Sequence, residues 1–265
     1  MMGELIRQEA VKLASQRFPY LLAAAVVALQ AVATLAAVRT PPETTLDVVN
    51  APQVFAEGAQ AGLRGAVYLL LVLGAMSLSR EFSLGTAKTF LVLPLTRRSW
   101  LLAKLASLVL LAAALVLLVS GIGIGLAALT PGWSALRQEG LVLAGGALLA
   151  RELATATGLT ILLLAPVCAF GLLIGLHFTS SGAAVGVAVL LGAMLEAAAN
   201  LVDPVGRYVF LAYVPKPFAQ IGRLGRGLPY EWSGLTGWSL GVAAASFVLL
   251  AGWSLWRFER MDVGQ

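Results

Sequence analysis

Few residues of this chain are equipped for chemistry, and their spacing narrows what it can do. One histidine, His177, and one cysteine, Cys168, occur in 265 residues, and neither H-x-x-x-H nor C-x-x-C appears, so the spacing of a metal site is missing. His177 stands at the edge of an apolar run beside Thr179 and Ser180. A histidine interacting with a helix-end dipole accounts for it better than a serine-hydrolase pair. There is no G-x-x-x-x-G-K-[ST] loop, whose backbone N–H groups and lysine would grip a nucleotide phosphate. No catalytic residue is therefore expected. Two groupings remain. One is the polar, basic run Ser79 to Lys104, SREFSLGTAKTFLVLPLTRRSWLLAK, where Arg80, Lys88, Arg97, Arg98 and Lys104 accompany a single acid, Glu81. The other is Glu196 with Asn200 one turn further on: an ionisable group in an apolar helix is costly and usually faces a cavity or a partner, which makes the pair a possible transport path. The competing reading puts Glu196 near the helix end, protonated or paired with a loop arginine.

The elements that must position these groups are membrane helices. Hydrophobic residues are 59% of the chain, charged residues 12%, and the mean hydropathy is +0.89, a balance no soluble domain of this length keeps off its surface. The apolar runs are long enough for a bilayer core of about 30 Å and lack the alternation of a β-barrel. The net charge of +5 resides at helix ends and in short loops, where topology explains it without nucleic acid. Cys168, alone and inside an apolar run, forms no internal disulfide.

In chain order, residues 1–18 carry Met2, Leu5, Ile6, Ala10, Leu13 and Ala14 on one side and Glu4, Arg7, Gln8, Lys12 and Ser15 on the other, an amphipathic helix for the membrane interface rather than a cleaved signal. A first span over about 20–38 stops at Pro41-Pro42, and an acidic loop follows to about residue 60. The second span covers about 63–78. A third, about 100–129, exceeds one perpendicular crossing and either tilts or breaks at Gly121, Gly123 and Gly125. After a Pro131-Gly132 loop, Leu141 to Leu149 is too short to span and reads as an interfacial or partly re-entrant helix. The fourth span, about 153–178, contains Pro166, and the fifth covers about 183–202. Residues 203–237 mix aromatics, Gly and Pro with Arg207, Lys216, Arg223 and Arg226, suiting a helical or re-entrant segment at the outer surface. The sixth span runs over about 238–255. Gly121/Gly125, Gly171/Gly175 and Gly182/Gly186 have the spacing of close helix packing. The basic cluster places the run after the second span, and with it both termini, in the cytoplasm.

Within that run the order is Glu81, Gly85-Thr86, Lys88, Leu-x-Leu-Pro ending at Pro94, Thr96-Arg97-Arg98 and then Lys104. It resembles the first cytoplasmic loop of type-2 ABC export permeases, E-x-x-x-G-T-x-x-x-L-x-x-P-[VL]-[ST]-R with a lysine at the foot of the next helix. The resemblance extends in layout over nearly the whole chain. It implies an all-α integral membrane protein, a single permease domain over 1–265 with six transmembrane helices, an interfacial elbow helix over 1–18 and a cytoplasmic coupling loop over 79–98. In that loop a short helix from Arg80 to Leu93 would meet the ATPase, with Arg80, Glu81, Gly85, Thr86, Lys88, Pro94, Arg97 and Arg98 as the contact residues. It further implies a bacterial plasma membrane location, separate ABC ATPase subunits carrying ATP and Mg²⁺, a second permease copy or homologue, and export by alternating access, with no cofactor in this chain. An ion-coupled carrier would need several intramembrane polar groups where this chain has one acid; a non-transporting assembly protein of the same shape stays open.

Overall fold

The computed structural model describes residues 2–39, 50–84, 96–130, 133, 135–138 and 141–261. Six helices among them are long and apolar enough to cross a membrane, and the chain is a multi-pass membrane protein. In order come α1 (Met2–Ala14), α2 (Arg17–Arg39), α3 (Ala51–Ser83), α4 (Arg97–Ala127), a hairpin of β1 (Ala135–Gln138) and β2 (Leu141–Gly145), α5 (Gly146–Gly175), α6 (Ser181–Leu201), the short α7 (Asp203–Gly206), a 3-10 turn (Phe210–Tyr213), α8 (Lys216–Gly225) and α9 (Ser233–Arg260). The spanning helices are α2 to α6 and α9.

Helix α3 is the axis of the bundle. Its inner residues Leu63, Ala66, Leu70, Leu71 and Leu78 are fully buried, whereas α2, α6 and α9 expose Leu21, Val32, Leu190, Met194, Val248 and Leu249. Exposed apolar side chains on the outer helices are what a lipid environment selects. Because lipid supplies no hydrophobic drive between helices, close backbone approach holds the centre together. A Cβ on Gly74 would lie 3.0 Å from the Gly171 backbone, and one on Gly175 would lie 2.6 Å from the Ala75 carbonyl oxygen. Gly171 and Gly175 thus form the α3–α5 contact. Gly121, Gly125 and Gly186 have open space around them and Gly182 is nearly free, so two of the three expected glycine pairs make no helix contact.

Several boundaries differ from the sequence expectation. Helix α3 begins at Ala51, not near residue 63, because the Asn50 side chain caps it by accepting from the Gln53 N–H at 3.2 Å and Pro52 occupies its first turn. Residues 51–60, expected in a loop, are helical, and Phe55 is buried edge-on to Trp133 and Phe218 at 5.9 and 5.3 Å. With 33 residues α3 is about 50 Å long, so it projects beyond a bilayer core. Helix α4 passes unbroken through its glycines. The stretch Leu141 to Leu149 is no separate interfacial helix: its first half is β2 and its second half the first turn of α5. Residues 203–237 fold into short helical pieces packed on α3 and α5, burying Phe210, Phe218 and Ile221. At the other end, α3 continues through Ser83, so Arg80 and Glu81 belong to its last turn and do not start a separate short helix.

Candidate functional site

The two groupings singled out in the sequence lie at opposite ends of the bundle. The first lies where α1, the end of α3 and the start of α4 meet. Trp100 and Lys104 are four residues apart on α4, hence on one face, and the ammonium lies 4.7 Å from the indole centroid. The Lys104 Nζ donates to Glu9 Oε2 at 2.9 Å and to Glu81 Oε1 at 2.8 Å, and Lys12 also donates to Glu81 Oε1. Trp100 in turn stacks on Phe258 of α9 at 5.3 Å. Lys104 is 2% exposed, Glu81 4% and Glu9 9%, so three helices share charges hidden from solvent. Two ammonium groups and two carboxylates leave the cluster formally neutral, the condition under which buried charge is tolerated. A cavity of about 390 Å³ adjoins it, lined in part by Leu73, Met76, Arg80 and Glu81.

The expected loop contacts divide. Arg80 is exposed at the end of α3. Glu81 points inward to the lysines, so its carboxylate is part of the scaffold. Arg97 donates to the Met261 carbonyl at 2.7 Å, and Arg98 forms an ion pair with Glu259, with Nη2 to Oε2 at 3.0 Å; both are engaged by the end of α9. Gly85, Thr86, Lys88 and Pro94, together with the rest of the expected Arg80-to-Leu93 helix beyond Leu84, lie outside the described residues.

The second site is at the opposite end. Tyr68 of α3 donates its hydroxyl to Glu196 Oε2 of α6 at 2.7 Å, while the Asn200 amide donates to the Glu196 backbone carbonyl at 2.9 Å. Glu196 and Asn200 line one cavity of about 310 Å³ together with Arg64, Arg207 and Lys216. The partner of Glu196 is thus a tyrosine of the neighbouring span and not a loop arginine. Burial of Lys216 holds its ammonium below the usual lysine range, and its Nζ sits 4.1 Å from the Tyr213 ring centroid. His177 donates or accepts at Nδ1 with the Leu173 carbonyl at 2.9 Å, and Ser180 caps α6, so both are spent on helix ends.

Glu9 and Tyr68 were not singled out by sequence reasoning. For Glu9 a signal existed: Leu5, Glu9 and Leu13 recur at four-residue spacing, which puts an acid on the apolar face of α1. Such an acid requires a buried cation, and Lys104 is that cation. Nothing in sequence distinguishes Tyr68 from other aromatic residues of a span. A family model described as a protein of unknown function (DUF2705) matches residues 61–264. No curated protein matches the chain.

Proposed function

The chain belongs to the DUF2705 family, and from the residues that join α3 to α4 we propose that it is the permease subunit of an ATP-driven exporter of the type-2 ABC kind. One observation carries the reading: the ordered run Glu81, Gly85-Thr86, Pro94, Thr96-Arg97-Arg98 and Lys104 joins α3 to α4, and its first and last members are bonded to each other and to α1. Whatever moves this connection moves three helices together. In the proposed mechanism α1 is the interfacial elbow, this end of the bundle faces the cytoplasm, and the residues between α3 and α4 dock on a separate ATPase that binds ATP and Mg²⁺. Arg80 is the docking cation from the described part of the run; Gly85, Thr86, Lys88 and Pro94 are the contacts proposed beyond it. Glu81 transmits the motion through Lys104 instead of touching the partner. Two permease copies in a bacterial plasma membrane would enclose the export path.

Co-expression with candidate ATPases, followed by affinity purification through a tag on this chain, tests the reading. An ATPase should co-purify with the parent chain and be lost from a variant carrying Gly85→Trp with Arg80→Glu. Recovery of equal ATPase with both chains, or of none with the parent against every candidate from its genomic neighbourhood, contradicts it.

A further inference from the structure

Residues 203–237 bring bases to the end of the bundle opposite the Lys104 cluster, and three cationic side chains share one cavity there. Arg64 comes from α3, Arg207 from the turn after α7 and Lys216 from the start of α8; the cavity holds about 310 Å³ and includes one acid, Glu196. Arg64, Arg207 and Lys216 take no part in the ion pairs that Glu4, Glu9, Glu57, Glu81 and Glu259 form. Glu196 is held instead by the Tyr68 hydroxyl at 2.7 Å. Arg64 and Arg207 are exposed and Lys216 is half-buried, and like charges gathered around one cavity repel one another. An anion bound among them would relieve that repulsion.

We propose that this cavity binds an anionic phosphate group. The donor inventory favours phosphate over a carboxylate: two guanidinium forks and an ammonium offer more N–H groups than two carboxylate oxygens can accept, and guanidinium matches phosphate geometry with paired bonds. The cavity's rim fits a membrane-interface position. Tyr208 and Trp238 meet edge to face at 5.8 Å beside it, the Trp238 indole N–H donates to the Arg207 carbonyl at 2.9 Å, and Leu201 and Val205 are exposed nearby. Aromatic residues with a satisfied polar edge and exposed aliphatic neighbours are typical of headgroup depth. Helix α6 has 21 residues, about 31 Å, and Glu196 lies five residues before its end, which places the cavity within about 8 Å of that end. Phosphate at this level comes either from a phospholipid headgroup or from a soluble phosphate compound. The site does not depend on any ATPase, so its test is separate from that of the permease reading.

Purified full-length chain in nanodiscs of phosphatidylcholine is compared with the same chain in nanodiscs containing added phosphatidylglycerol, and in phosphatidylcholine with inorganic phosphate against chloride at equal ionic strength. The readout is the midpoint of thermal unfolding across a titration of each additive. Phosphatidylglycerol or phosphate should raise the midpoint of the parent. Arg64→Gln/Arg207→Gln/Lys216→Gln should abolish the response, while a charge-matched Arg17→Gln/Arg39→Gln/Arg151→Gln chain keeps it. A response to phosphatidylglycerol alone identifies a lipid headgroup; a response to inorganic phosphate identifies a soluble phosphate ligand. Lys216→Gln alone, tolerable at a half-buried side chain, should raise the concentration for half the effect about tenfold, as loss of one charged hydrogen bond does. A parent that responds to neither, or a triple variant that responds like its control, overturns the proposal.

Discussion

Lys104 of α4 and Glu9 of α1 are bonded at 2.9 Å with their side chains 3% and 11% exposed, which makes the N-terminal helix part of the bundle's end and not a loose appendage. Removing one member of such a cluster leaves an uncompensated buried charge. Glu81→Gln and Lys104→Met should each destabilise the chain by about 3–5 kcal/mol. Lys12, whose side chain is 40% exposed, should lose no more than about 1 kcal/mol on Lys12→Met. Chemical unfolding of the purified variants measures the contrast, and equal losses at positions 12 and 104 would show that burial does not set the cost.

The α3–α5 crossing depends on the absence of side chains. A Cβ on Gly171 would meet the Leu71 carbonyl oxygen at 2.9 Å, so Gly171→Val should cost about 1–3 kcal/mol or prevent accumulation of folded protein. Gly125→Ala, in the same kind of helix with open space around it, should be neutral or stabilise by about 0.5–1 kcal/mol. Expression yield and unfolding midpoints compare the two.

Lys216 gives a pH prediction. Burial lowers its folded-state pKa below the unfolded value, so the protonated form is penalised in the fold and the empty protein gains stability as pH rises through that depressed range. Anion binding needs the protonated form and should weaken over the same range. Arg64, Arg207 and Glu196 line the same cavity, and a guanidinium put in place of the Lys216 ammonium would keep its charge. Lys216→Arg should therefore make phosphate affinity independent of pH in that window; an unchanged profile would assign the titration elsewhere.

Membrane sidedness follows from the proposed orientation. In a Cys168→Ala background, a cysteine replacing exposed Glu231 should react with an impermeant thiol reagent in intact cells, and one replacing exposed Ser83 should not. The reverse pattern would turn the bundle over and remove the cytoplasmic docking surface.

The six spans were legible because length and hydropathy alone determine them, and the observed helices fall on the expected runs. The helical start of α3 was missed although its signals were local: Asn50 before Pro52 is a cap, but Glu57 and Gln60 made the stretch resemble a loop. What shields it is tertiary, since Phe218 of α8 and Trp133 cover Phe55, and no local pattern announces partners so distant in sequence. The hairpin before α5 was missed because five apolar residues suit a strand or a helix equally. At the candidate site, the spacing of Glu81 and Lys104 was visible, but their mutual bond was not. A charge near a membrane end reads as exposed until a second buried charge is found to answer it.

In the proposed function the connection from α3 to α4 couples this chain to a separate ATPase. The direct measurement is ATP hydrolysis in lipid nanodiscs by the chain alone, by its co-purified ATPase alone, and by the two together, for the parent and for Gly85→Trp. The chain alone should show no hydrolysis, the pair should hydrolyse ATP faster than the ATPase alone and under different regulation, and Gly85→Trp should lose that difference without loss of membrane insertion. Hydrolysis by the isolated chain, or a pair whose rate is the same with and without the substitution, would contradict it.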